Sequence, residues 1–139
     1  MKFSLFYKDY DFKVNFSAMR EFKQETGRGL WSSIQGVLVA ARKSDDVWEQ
    51  LFNIGKHIDE LDGAMLLWII AKQCNNTLQL SEIEDAVIRC GWKPVDSSDK
   101  RAQPYTHVLY SIVLQLDQQY EREAIKAKKD LCDSSGSSD

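Results

Sequence analysis

The side chains that could do chemistry are few in this chain and lie far apart. His57 and His107 are the two histidines, and Cys74, Cys90 and Cys132 stand isolated from one another. A zinc site draws on Cys or His pairs at short spacing, and the sequence holds no CxxC, HxxxH or HExxH. Cys74, Cys90 and His107 could meet only through the fold, so the expectation is structural thiols, a histidine on a helix face and no bound metal. An odd number of widely spaced cysteines also argues against a disulfide framework. General acid–base work needs paired carboxylates. Asp45-Asp46, Asp59-Glu60 and Glu84-Asp85 qualify by type, but each falls at a predicted helix start, where capping of free N–H groups accounts for them. No GxSxG or phosphate-binding loop occurs. Gly27-Arg28-Gly29, the one close glycine pair, lacks the third glycine and the preceding strand of a dinucleotide site. These absences lead to the expectation of a non-enzymatic protein without cofactors.

The elements that would position these residues are mainly helical. Phe3, Leu5 and Tyr7 alternate on one strand face, and Phe12 and Val14 can return across a Lys8–Asp11 turn, giving an N-terminal β-hairpin over about residues 1–14. A hairpin alone is marginal in water, so its apolar face must be covered. A first helix begins at Asn15 or Ser17, buries Ala18, Met19 and Phe22, and ends where Gly27 can take the left-handed position. A second runs from Leu30 to Lys43 with Trp31, Ile34, Val37, Leu38 and Ala41 on one stripe. Gly36 inside it suggests a close approach. Asp45 or Asp46 caps a third helix that carries Val47, Trp48, Leu51, Phe52 and Ile58. Asp59 or Asp62 opens a fourth, whose Ala64–Ala71 run is apolar all round and reads as the centre of the core, with Trp68 inside it. Ser81 and Glu84 have capping-box spacing for a fifth helix that ends at Gly91. After a polar loop over 92–103, Pro104 opens a sixth helix with Tyr105, Val108, Leu109, Ile112, Val113, Leu116 and Tyr120 along one face. The reading is a mainly α fold of about six helices with an N-terminal hairpin. It forms a single compact domain over 1–129, followed by a disordered polar tail over 130–139.

Bulk properties narrow the class of partner. The 139 residues suffice for one hydrophobic core. Net charge is −3, and residues 31–100 carry eleven acids against seven bases, which disfavours nucleic acid. Ala64–Ala71 is about half of the ~20 residues a membrane span requires, and the first residues lack a signal-peptide pattern, so the expected setting is the cytoplasm. A helix-turn-helix is excluded by the length of the loop between the fifth and sixth helices. Of the four tryptophans, Trp92 sits at a helix end beside a polar loop and is the best surface anchor.

The ordered segment Phe16-x-x-Met19-x-x-Phe22-x-x-x-Thr26-Gly27-x-x-Leu30, followed downstream by Leu78-Gln-Leu80-Ser81-Glu82-Ile83-Glu84, resembles the tail assembly chaperones of long-tailed, lambda-like phages. Arg28-Gly29 and the loop at 93–103 depart from that pattern. The resemblance implies a non-catalytic protein of the host cytoplasm that holds tape-measure protein soluble, recruits major tail-tube subunits and is absent from the finished virion. It also implies self-association and a longer form made by ribosomal frameshifting, with which the Lys128-Lys129 codons are compatible. On that reading the contact residues are Phe3, Leu5, Phe12 and Trp92. The alternative is a small cytoplasmic adaptor or antitoxin-like protein that binds one protein target.

Overall fold

Alternation near the N-terminus does produce a hairpin, but its turn lies earlier than expected. In the computed structural model, which describes residues 1–95 and 99–137 and side chains through 133, β1 (Lys2–Leu5) pairs antiparallel with β2 (Lys8–Asp11), Phe3 opposite Tyr10 and Leu5 opposite Lys8. The connection is Phe6-Tyr7 rather than Lys8–Asp11. Both residues have positive φ, 44° and 64°. Two-residue hairpin turns of this hand normally use Asn-Gly, because side chains are strained there. Here the turn is held from outside. The Tyr7 N–H donates to the Arg101 carbonyl at 2.9 Å, the Arg101 guanidinium lies over the Tyr7 ring, and Arg89 lies over Phe6. A turn fixed by tertiary contacts leaves no local signal in the sequence.

Helix α1 (Phe16–Thr26) starts where Asn15 accepts the Ala18 N–H at 2.8 Å and ends at Gly27, whose φ of 74° is left-handed. It buries Ala18 and Phe22. Helices α2 (Leu30–Ala41), α3 (Val47–His57) and α4 (Glu60–Lys72) follow, the last two capped by Asp46 and Asp59. Helix α5 (Leu80–Cys90) ends at Gly91, a 3₁₀ turn spans Lys100–Ala102, and α6 runs Tyr105–Ser137. Helix α2 packs on α3 and α6, α4 packs on α1, α5 and α6, and β1 closes over α5 and α6. The core centres on Leu66, Leu67, Ile69 and Ile70 of α4, all fully buried.

Four local expectations need correction. Trp68 is only partly buried; its indole N–H donates to the Leu78 carbonyl at 2.8 Å, with the Lys72 ammonium over its ring. The Ser81–Glu84 capping box does not form, because α5 begins at Leu80 behind Gln79, which makes no side-chain cap bond. Burial of Leu78 sets that start, and Glu82 turns instead to Lys8 and Tyr10. Trp31, Val47, Trp48 and Phe52 are exposed, and Leu30, Ser33, Leu51 and Ile54 take the core positions. Finally, α6 continues through Ser137, into the stretch expected to be disordered from residue 130. Residues 118–133 are exposed throughout, yet Gln, Glu, Arg, Ala and Lys dominate them, and these are strong helix formers that need no packing partner. Residues 138 and 139, and 96–98 of the polar loop, lie outside the described residues.

Candidate functional site

The residues with chemical potential are dispersed into structural roles. The His57 ring lies against α2, its Nε2 3.1 Å from the Ser33 carbonyl oxygen. A Cβ at Gly36 would come 2.1 Å from that nitrogen, which explains the glycine. His107 is half-buried beside Lys100, and burial and that cation both push its pKa down. Cys90 is buried, and burial pushes its thiol up; Cys74 and Cys132 are exposed. Among the described residues no three His, Cys, Asp or Glu side chains gather as a metal-binding set. Asp46 and Asp59 accept N–H groups at helix starts. Glu84-Asp85 instead lies inside α5, where Asp85 pairs with Arg89 at 2.9 Å.

The Thr26–Leu30 segment is a clasp. Thr26 donates its hydroxyl to the Phe22 carbonyl at 2.7 Å and accepts the Arg28 N–H at 3.1 Å. The Arg28 guanidinium then reaches the His57 carbonyl at 2.6 Å and Asp62 at 3.2 Å, tying the α1–α2 corner to the α3–α4 corner. The arginine that departs from the chaperone pattern therefore has a clear packing role.

Of the expected contact residues, three are placed inside. Phe3, Leu5 and Phe12 are 3%, 0% and 1% exposed, because the hairpin face that needed cover is closed by α5 and α6. A partner cannot reach them in this fold. Trp92 is 77% exposed. It follows Gly91, whose φ of 71° turns the chain out of α5, and it meets Trp48 of α3 edge-on with ring centroids 6.1 Å apart. Phe52, one turn along α3, is also exposed. Together they border a cleft of about 350 Å³ whose lining includes Leu51, Gly55, Pro104 and Tyr105. The rim carries Lys56 over Phe52 and Lys93 over Trp92.

Sequence reading missed Trp48 and Phe52 by assigning them to the core. The signal was present in the register. At 100° per residue, Leu51 and Ile54 fill one face of α3, while Trp48, Phe52 and Gly55 fall on the face beside it. One face is enough to bury an 11-residue helix against its neighbours, so the second is left outside. Exposed aromatic clusters of this kind are a recognised mark of protein-binding sites.

No family model, curated protein or solved structure matches the chain. Its surface and its chemistry are therefore the basis for function. No described helix is long and apolar enough to cross a membrane.

Tyr105 forms one wall of the cleft and donates its hydroxyl to the Ile58 carbonyl at 3.0 Å. Burial, helped by Glu60 and Asp59, raises its pKa from 10.0 to about 12. The folded state thus holds this proton more tightly than the unfolded chain. The stability it contributes is complete below pH 10 and is lost as pH rises toward about 12. In an alkaline absorbance titration, Tyr105→Phe is expected to remove a phenolate step near pH 12. An unchanged late step would show that Tyr105 is not the group responsible.

Proposed function

We propose that this chain acts by protein–protein contact as a tail assembly chaperone of a long-tailed phage. In this role it binds tape-measure protein in the host cytoplasm and recruits tail-tube subunits to it during tail morphogenesis. It is absent from the mature virion. The observation that carries the reading is the Trp48–Phe52–Trp92 cluster, an exposed aromatic surface beside an apolar cleft on an otherwise well-packed helical body. Shielding an aggregation-prone apolar segment calls for such a surface. The ordered Phe16–Leu30 and Leu78–Glu84 segments add the family resemblance.

The direct test is co-expression of the chain with the tape-measure protein and the major tail-tube protein encoded beside it. The expected result is retention of tape-measure protein on the tagged chain and its recovery in the soluble fraction. Failure to retain either tail protein would overturn the proposal, and stable retention of a single unrelated protein would favour an adaptor or antitoxin-like role.

A further inference from the structure

Gln103 has a polar side chain and is nevertheless buried, at 4% exposure. A primary amide leaves water at a cost unless its hydrogen bonds are replaced. Here the replacement is complete. The Oε1 atom accepts the Val95 N–H at 3.2 Å, while Nε2 donates to the Val95 carbonyl at 3.1 Å and to the Asp99 carbonyl at 3.4 Å. Both donors of the amide are thereby used. The side chain pairs with the Val95 backbone by the two-bond exchange that joins facing residues of an antiparallel ladder. Val95 lies in the connection between α5 and the 3₁₀ turn, so a side chain does there what a strand does elsewhere.

Gln103 itself stands on a fixed base. Ala102 and Pro104 on either side of it are buried. The 3₁₀ turn before it is fastened to the hairpin by the Tyr7 N–H, which the Arg101 carbonyl accepts, and Asp99 stiffens that turn by accepting the Arg101 N–H at 3.0 Å. From this base the amide grips the chain three residues beyond Trp92. The stretch from Gly91 to Val95 is held at one end by the Gly91 N–H, which donates to the Ile88 carbonyl at 3.1 Å, and at the other by Gln103. Trp92 lies between these two anchors with its ring mostly exposed, so packing on Trp48 alone would have to oppose the freedom of a loop side chain. Pro104 and Tyr105, which follow Gln103 directly, line the same cleft as Trp92. One buried amide thus ties the segment that carries the exposed indole to the segment that forms the cleft wall.

We propose that Gln103 is a positioning residue of the aromatic cleft: by pairing with Val95 it holds the Trp92 ring against Trp48 and so fixes the shape offered to a partner. The consequence for binding rests on the client reading given above, whereas the ring geometry does not. Two indoles this close couple their electronic transitions, and the coupling falls steeply as they part. The unmutated chain is therefore expected to show an exciton couplet in far-ultraviolet circular dichroism that Trp92→Phe removes. Gln103→Leu deletes all three hydrogen bonds, and Gln103→Glu keeps the acceptor but sets a carboxylate against two carbonyls. Each should remove most of the couplet while urea denaturation still shows one cooperative transition. Gln103→Leu should also weaken binding of a tape-measure segment about tenfold. Hydrogen exchange on the unmutated chain gives a reading that needs no variant: the Val95 N–H is expected to be protected, and exchange at the rate of an open loop would overturn the pairing. Absence of the couplet in the unmutated chain, or its survival in both Gln103 variants, would overturn the proposal. So would loss of the couplet with unchanged affinity. Loss of the couplet in a chain that binds neither tail protein would keep Gln103 in its positioning role and remove the client reading instead.

Discussion

Phe12→Ala is expected to destabilise the fold by about 3–5 kcal/mol, the range for emptying a fully buried aromatic site. A small domain has on the order of 5–15 kcal/mol in total, so this variant should approach the limit of folding. The size of the effect follows from its position. Phe12 is 1% exposed, its ring lies 5.7 Å from that of Phe3, and its N–H donates to the Met1 carbonyl at 2.9 Å. It therefore links the hairpin's own cluster to the helical core. Phe3 in turn stacks on Tyr10, whose hydroxyl donates a hydrogen bond to the Glu82 carboxylate at 2.8 Å, so the loss would spread to the hairpin–α5 contact. Urea denaturation followed by far-UV circular dichroism measures the change. A loss below about 1 kcal/mol would show that Phe12 lies outside the core and would return it to the list of candidate contact residues.

How much of this was legible in the sequence depended on where each residue's partner lies. Asn15, Asp46, Asp59, Gly27 and Gly91 act on N–H and C=O groups within a few residues, and each does what its type and position imply. Gly36 pointed to a close approach, and the His57 ring is what approaches. The failures share a different cause. The Phe6-Tyr7 turn is stabilised by the Arg101 and Arg89 guanidinium groups, which lie more than eighty residues further along the chain. Glu82 has capping chemistry within reach but is drawn to Lys8 and Tyr10 on the hairpin, and these two hydrogen bonds lower its carboxyl pKa. Periodicity likewise told that α3 has apolar residues but not how many faces the neighbouring helices would cover. Trp48 and Phe52 were thus misplaced into the core, while Phe3, Leu5 and Phe12 were misplaced onto the surface. Trp92 was legible because a glycine and a polar loop flank it.

Replacing both Trp48 and Trp92 by Ser is expected to weaken binding of tape-measure protein by at least about thirtyfold, the scale of an interface hot spot worth 2 kcal/mol or more. Fold stability should fall far less. The two rings are half or more exposed, and an aromatic pair contributes about 0.5–1.5 kcal/mol beyond area burial. The asymmetry between a large binding effect and a small stability effect separates a docking surface from core aromatics that happen to be visible. Phe16→Ser is the matched control, since Phe16 is 75% exposed but lies outside the cleft lining. It should leave affinity unchanged. Titration calorimetry with a tape-measure segment, alongside urea denaturation of the same variants, reads both quantities. Unchanged affinity in the double variant would remove the aromatic cleft as the client site. Equal loss of affinity with Phe16→Ser would mean that binding follows general exposed hydrophobicity rather than the geometry of Trp48, Phe52 and Trp92. The Tyr105 wall refines the expectation further: because its hydroxyl is committed to the Ile58 carbonyl, it presents its ring and not its O–H to the cleft. On the proposed reading a client would be held there by apolar packing, and its affinity should change little between moderate and high salt.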